Sequence, residues 1–262
     1  MSIFGQNFDQ FEVLVFDNAS QDRTLKILKK FSQVKVFESD INIGFGKAHN
    51  ALSEKSAGKL LFILNPDTYL ESKNTLSQIY EKSEKSSEVG LWGTKVHEGD
   101  SIAKPSFNYP GERKIKSTIG KDLPGSISWV IGASMIVRQS IFNQLNGFDP
   151  DFFLFSEETD LCLRIRKAGF SIEYHKEITI KHIGSESINQ EGFYNKWKVS
   201  TEGLYLFYKK HYNPSDTQKL IRSDYLKALY RCFLLKFSGS SSEKADKYKA
   251  IRDVARKELD TS

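Results

Sequence analysis

The chain has 262 residues, 39% of them hydrophobic and 13% aromatic, enough to bury the core of one large α/β domain or of a domain with appendages. The formal net charge of +5 is mild and its bases are interspersed with acids, which suits phosphorylated ligands or anionic surfaces; with no nucleic-acid-binding motif present, a nucleic-acid partner is not expected. Cys162 and Cys232 give neither a disulfide framework nor zinc spacing, no run is apolar enough to span a bilayer and the N-terminus shows no signal-peptide pattern, so a cytoplasmic location is expected.

Met1 to Gln10 is short and polar. The alternating, β-branched and aromatic run Phe11 to Phe16 predicts a strand ending in Asp17-Asn18-Ala19-Ser20. Thr24 to Phe31 predicts an amphipathic helix with Leu25, Leu28 and Phe31 on one face, and Val34 to Phe37 a second strand. The segment Asn42-Ile43-Gly44-Phe45-Gly46-Lys47-Ala48-His49-Asn50 opens a helix to about Lys55. Lys59 to Leu64 predicts a third, buried strand. This strand–helix alternation implies a parallel sheet.

That third strand runs into Asn65-Pro66-Asp67-Thr68. At the carboxyl end of a strand in an open α/β sheet, Asp67 can hold a hard divalent cation, and the cation phosphate oxygens. Alternatively, the four residues form a turn that caps the next helix.

Leu76 to Lys85 predicts a helix and Val89 to Val96 a strand. His97 to Ile127, with three prolines and several glycines, reads as a long flexible active-site or acceptor loop. Ser128 to Val137 returns to buried strand character, and Gln139 to Leu145 is a short helix leading to Gly147-Phe148-Asp149. An aromatic segment from Phe152 then enters an acidic helix start, Glu157-Glu158-Thr159-Asp160, where carboxylates suit the helix dipole. Phe170 to Tyr174 and Ile178 to His182 predict two short strands. Phe193 to His211 and Tyr225 to Phe237 predict amphipathic helices separated by Asn213-Pro214. Ser238 to Ser242 reads as a linker and Glu243 to Ser262 as a charged, weakly packed tail.

The ordered set of strand-end Asp-Asn-Ala-Ser, Asn-Ile-Gly-Phe-Gly-Lys-Ala-His-Asn, Leu-Asn-Pro-Asp-Thr, Trp129…Gly132-Ala133, Gly147-Phe148-Asp149, Glu157 to Arg164 and His182…Ser185 resembles the family 2 glycosyltransferases, in their rhamnosyltransferase-like branch. The resemblance covers roughly Phe4 to Lys210. It implies a GT-A fold, a Rossmann-like mixed α/β sheet flanked by helices, over residues 1–190, with a helical extension over 191–237 and the tail over 238–262. It implies an inverting transfer of rhamnose or a similar sugar from a dTDP- or UDP-sugar to a glycan or lipid-linked glycan acceptor of a bacterial surface polysaccharide.

The same resemblance assigns residues. Asp17, Asn18, Asn42, Gly44, Phe45, Lys47, Asn50, Asn65 and Asp67 would contact the nucleotide-sugar, although Gly44 and Gly46 also read as close helix–sheet packing. Asp67 is the last acid of a DxD-like motif whose first position is Asn65; with His182 it would hold Mn²⁺ or Mg²⁺. Glu158, at a position where the family usually has Asp, is the expected base and Glu157 its rival. Trp129 and Asp160 belong to the acceptor side, Trp129 being equally readable as core and Asp160 as a helix-start organiser. Arg164 and Arg166 either screen the diphosphate or solvate their helix. Relatives normally begin with a strand and helix that find no counterpart before Ser2, so the resemblance implies a domain lacking its first strand and puts activity in question. A non-catalytic remnant acting as a carbohydrate- or partner-binding module is the alternative. The basic, aromatic C-terminal helices suit either packing onto the domain or peripheral contact with the inner face of the plasma membrane.

Overall fold

The computed structural model describes residues 2–183, 186–235 and 242–261. After a 3-10 turn, Ser2–Gly5, the elements run β1 (Val13–Asn18), α1 (Thr24–Leu28), β2 (Val34–Ser39), α2 (Phe45–Ser53), β3 (Leu60–Leu64), β4 (Thr68–Leu70), α3 (Thr75–Ser83), β5 (Val89–Glu98), β6 (Ser101–Ala103), α4 (Glu112–Ile115), β7 (Ser134–Arg138), α5 (Gln139–Gln144), α6 (Glu157–Lys167), β8 (Ser171–His182), α7 (Glu186–His211), α8 (Pro214–Leu235) and α9 (Ser242–Asp260). They fall into two compact units. The first holds the described residues of 2–107, 122–153 and 157–183, and the second those of 108–121, 154–156 and 186 onward.

In the first unit the described strands form two sheets. β1 and β2 pair in parallel, as the alternation predicts. The others form a mixed sheet in the order β3-β7-β5-β8-β4, with β6 hairpinned onto β5. Here the expectation of one parallel sheet through the first three strands fails. β3 pairs antiparallel with β7 and is not bonded to β1, because a return strand from far along the chain supplies its partner. β3 is also less covered than expected, with Ile63 its one fully buried residue. β5 lies between β7 and β8, and its apolar run is the most deeply buried part of the sheet, with Val89, Leu91 and Val96 fully covered. α5 and α6 close one face through Ile141, Phe142, Leu161 and Ile165, packed with Phe148, Met135 and Val137. α3 contributes Ile79 to a cluster with Trp92, Ile136 and Ile178.

Several local expectations need correcting. The Asn-Pro-Asp-Thr turn leads into a strand, β4, and not directly into a helix. Residues 97–127 are not featureless, since they carry β6, α4 and a bridge between Ser106 and Trp129. The buried stretch from Ser128 becomes strand only at Ser134. The two predicted late strands are one strand, β8, whose pairing with β5 jumps from Thr94↔His175 to Lys95↔Thr179, so that a bulge separates the halves.

In the second unit, α8 begins at Pro214, earlier than predicted, because proline is well placed in a first helical turn. α7 is interrupted at Gly192, whose φ of 80° is not helical. α7 and α8 both pack against α9. The expected loose tail is therefore a helix, which buries Ala250, Val254 and Ala255 and receives a 3.0 Å hydrogen bond from Tyr194 to Asp253. Residues 236–241, most of the expected linker, and Ser185 lie outside the described residues.

Candidate active site

Strand β8, between β5 and β4, ends at His182, and the two strands beside it bring it its partners. In the ladders Thr68 of β4 and Glu98 of β5 both stand opposite His182. Asn65 fixes the approach to β4: its carbonyl accepts bonds from the Thr68 N–H and hydroxyl, and its own N–H donates to Ala133. The Asp67 carbonyl in turn accepts from the Ile183 N–H at 2.9 Å. These main-chain bonds deliver Asp67 Oδ1 to 3.0 Å from His182 Nε2, with Asn65 Nδ2 3.3 Å from the same nitrogen. On the other side of the ring, Nδ1 is 2.9 Å from Glu98 Oε1.

This donor set fits a hard cation. A carboxylate oxygen and an imidazole nitrogen 3.0 Å apart are donor types that Mn²⁺ or Mg²⁺ would take here. A carboxylate on the second ring nitrogen is the usual device for orienting a ligating imidazole. Among the described residues no group of three or more His, Cys, Asp or Glu side chains forms a self-sufficient cage. That is the ordinary state of a site completed by phosphate oxygens and water.

Ala133 links this cluster to the second. The adjoining Gly132 faces Glu158 so closely that an added Cβ would stand 3.5 Å from the Glu158 Cβ. Glu157 and Glu158 open α6, where the unpaired backbone N–H groups favour negative charge. Their surroundings differ. Glu157 is 4% exposed, its Oε2 has no hydrogen-bond partner, and burial together with the neighbouring Glu158 raises its pKa well above the ordinary carboxylate value. Glu158 is only half-buried as a residue, although its Oε2 is itself enclosed. Asp160 is buried and ion-paired to Arg164 Nε at 2.7 Å.

The arginines of α6 are engaged with protein groups. Arg164 also donates to the Leu145 carbonyl, and Arg166, 3% exposed, donates to the carbonyls of Leu123, Pro124 and Gly125. They pin loops from inside. Trp129 is partly buried against the main core, and its backbone bridges Ser106.

A third group lies where β1 meets α2. Asp17 is 4% exposed; its Oδ2 accepts from the Ser20 N–H at 3.1 Å, while its buried Oδ1 has no hydrogen-bond partner among the described residues. Asn18 and Asn42 bond each other at 2.8 Å, and each accepts a backbone N–H of the helix opening, from Ile43 and Gly44 respectively. Gly44 has a φ of 88°, and a Cβ there would lie 2.5 Å from the Phe153 carbonyl oxygen, which accepts the Phe45 N–H. Asn50 both donates to the Phe148 carbonyl and accepts from its N–H, each at 2.8 Å. Lys47 is exposed. Of this set, Asn18, Asn42, Gly44 and Asn50 hold the loop geometry, and Asp17 presents an uncommitted oxygen.

A family model for glycosyl transferase family 2 matches residues 1–145, more than half of the chain. The chain belongs to glycosyl transferase family 2. Among curated relatives of this family 2 chain, the O-antigen chain rhamnosyltransferase WbaN of Salmonella anatum is 25% identical over 187 residues, covering 69% of this chain and 59% of WbaN. The N-acetylglucosaminyl-diphospho-decaprenol L-rhamnosyltransferase of Mycobacterium tuberculosis is 23% identical over 216 residues, 68% of each chain. The matches thus span roughly three-fifths to two-thirds of those relatives. The mannosyltransferase PcManGT of Pyrobaculum calidifontis, solved with GDP-Man and Mn²⁺, aligns over 98% of this chain and 81% of its own with a TM-score of 0.61 at 13% identity. S. aureus TarS with UDP aligns over 100% and 86% with a TM-score of 0.54 at 16% identity. These likenesses place the family 2 chain in the GT-A fold.

One residue of the site gives no sequence signal. Glu98 sits 84 positions from His182 and meets it only through parallel register. His49, part of the helix-opening motif, clusters with the rings of Phe45 and Phe148, at 4.4 and 6.1 Å, and burial pulls it down to about 4, so it is neutral near pH 7.

Proposed function

We propose that this chain transfers a sugar, rhamnose or a close relative, from a dTDP- or UDP-sugar to a glycan or lipid-linked glycan acceptor of a surface polysaccharide, with inversion. The observation that carries the reading is the Asp67–His182–Glu98 constellation, joined through Gly132–Ala133 to a glutamate pair in two different environments. The printed names of the relatives, O-antigen and decaprenol-linked rhamnosyltransferases, support the substrate class. They do not favour a non-catalytic binding module.

In this reading Asp67 Oδ1 and His182 Nε2 hold Mn²⁺ or Mg²⁺, and Glu98 holds the imidazole in the tautomer whose Nε2 lone pair faces outward. When bound, the cation supplies positive charge against the leaving diphosphate. Asp17 Oδ1 accepts a hydrogen bond from the base or ribose, satisfying an oxygen otherwise buried without a partner. Glu158 takes the proton of the acceptor hydroxyl as its oxygen bonds to the anomeric carbon, on the face opposite the breaking bond to the diphosphate. Glu157, its proton held by burial and by its neighbour, is already occupied and so is not free to take another, and it keeps a second negative charge away from the site.

The test is release of nucleoside diphosphate from dTDP-rhamnose and UDP-hexoses in the presence of a polyprenyl-diphospho-GlcNAc acceptor. Glu158→Gln should lose about 10²- to 10⁴-fold in kcat, the usual worth of a positioned base. Asp67→Ala should be inactive while keeping its fold. Transfer by either variant at the wild-type rate overturns the assigned role.

A further inference from the structure

Within the second unit, α8 buries one face and exposes another. Thr217, Leu220, Ile221 and Ala228 are buried. Leu226, Leu229, Tyr230, Phe233 and Leu234 are 64, 39, 61, 59 and 38% exposed. Their spacing of i, i+3, i+4, i+7 and i+8 is a single helical face. At about 100° per residue its centre lies on the far side of the helix from Ala228. Scattered exposed leucines need no explanation, but a contiguous apolar stripe of this kind marks an interaction surface.

The charge around the stripe identifies what covers it. From Pro214 to Leu235 the helix carries Lys219, Arg222, Lys227 and Arg231 against two acids, Asp224 and Asp216, the latter in the first turn, ten residues before Leu226, and paired with Lys219 at 3.1 Å. Asp224 belongs to the covered side, its side chain 14% exposed and ion-paired with Lys114 at 2.7 Å. No carboxylate of this stretch therefore stands beside the stripe, while Arg222 and Lys227 are exposed next to it. No described helix is long and apolar enough to cross a membrane.

We propose that this face of α8 lies in the headgroup region of a bilayer rich in anionic lipid. The leucines and Phe233 enter the acyl boundary, Tyr230 sits at the interface with its hydroxyl outward, and Arg222 and Lys227 meet lipid phosphates. A second copy of the chain fits worse, because a two-fold contact through this stripe would bring the two basic rims together. The contact does not depend on the sugar-transfer chemistry.

The experiment is co-sedimentation of the full 262-residue chain with vesicles of phosphatidylcholine alone and with one-third phosphatidylglycerol. The wild type should partition onto the anionic vesicles at least tenfold more strongly, with the difference shrinking as salt is raised. Leu226→Asp/Phe233→Asp, at positions more than half exposed and so compatible with folding, should lose at least tenfold on those vesicles with an unchanged circular dichroism spectrum. Arg222→Glu/Lys227→Glu should lose the preference for anionic lipid. Wild-type protein that ignores both vesicles, or an aspartate variant that binds like wild type, overturns the proposal. So does a dimer in sedimentation equilibrium that the aspartate variant dissociates while vesicles go unbound. Nucleotide-dependent melting, measured on the same variants, should stay at wild-type values; its absence alongside retained vesicle binding counts against the transferase reading alone.

Discussion

His182 has two ring nitrogens and carboxylates on both sides, Glu98 at Nδ1 and Asp67 at Nε2. A neutral imidazole carries one proton, so only one carboxylate can accept from it. If that proton is on Nδ1 and bonded to Glu98, the Nε2 lone pair and Asp67 Oδ1 face the same point and are both free to ligate. Glu98→Ala should therefore weaken Mn²⁺ binding about 10- to 100-fold, the usual cost of losing such a support. Manganese paramagnetic resonance would measure this without reference to activity; unchanged affinity would remove Glu98 from the account. Glu157 gives a prediction with a sign. Its folded pKa is raised, so the folded state holds this proton more tightly than the unfolded chain. The stability it contributes is complete below the ordinary carboxylate value and is lost as pH rises through the raised one. Glu157→Gln mimics the protonated form, so over that rise its stability should fall less than that of the wild type, a difference that urea melts at acid and neutral pH will resolve. Asp67 and the glutamate pair were legible in the sequence because carboxylates after an apolar strand or at a helix start stand out locally. Glu98 was not, because its partner is reached only through long-range strand register.

The junction of α2 with the segment after α5 is held by side chains, not by ladders. Asn50 completes both backbone groups of Phe148, in the manner of a single sheet pair, and Gly44 lets the Phe153 carbonyl cap the helix opening. Asn50→Ala removes two hydrogen bonds and leaves a partly buried N–H and C=O short of partners. It should cost about 2 kcal/mol in urea unfolding, since orphaned polar groups are penalised beyond the bond lost; a cost under about 0.5 kcal/mol would show that water replaces it. The glycine and asparagine positions of this junction were visible in the sequence, but whether they served a ligand or the chain was not. β4 escaped notice because it has three residues, with Tyr69 exposed and Leu70 buried, too short for a pattern to emerge. α9 escaped for a different reason. It buries alanines and one valine, so its inner face is barely more apolar than the rest while charges fill its outside.

Across the molecule, protection should follow sheet position. β5 is bonded on both sides by β7 and β8, whereas among the described residues β1 has only β2 in its ladder. A two-stranded pair is marginal by itself and leans on the packing around it. Hydrogen exchange should therefore find β1 and β2 amides opening well before those of Leu91 to Val96, and equal protection would mean that the smaller sheet unfolds only with the whole unit. The parallel pairing of β1 with β2 followed from the strand–helix alternation, but the placement of β3 did not, because its neighbour β7 lies more than 60 residues downstream in the sequence. The central claim concerns what the ends of these strands hold together. The measurement that reaches it most directly is thermal unfolding of the wild type and of Asp67→Ala with dTDP or UDP, each with Mn²⁺ or with EDTA. A ligand confined to the folded state stabilises by about 2.7 kcal/mol at a hundredfold excess over its dissociation constant. The account predicts a rise in melting temperature for the wild type with one nucleotide and Mn²⁺, lost in EDTA and lost in Asp67→Ala. A rise that survives both EDTA and the substitution, or no rise with either nucleotide, would contradict it.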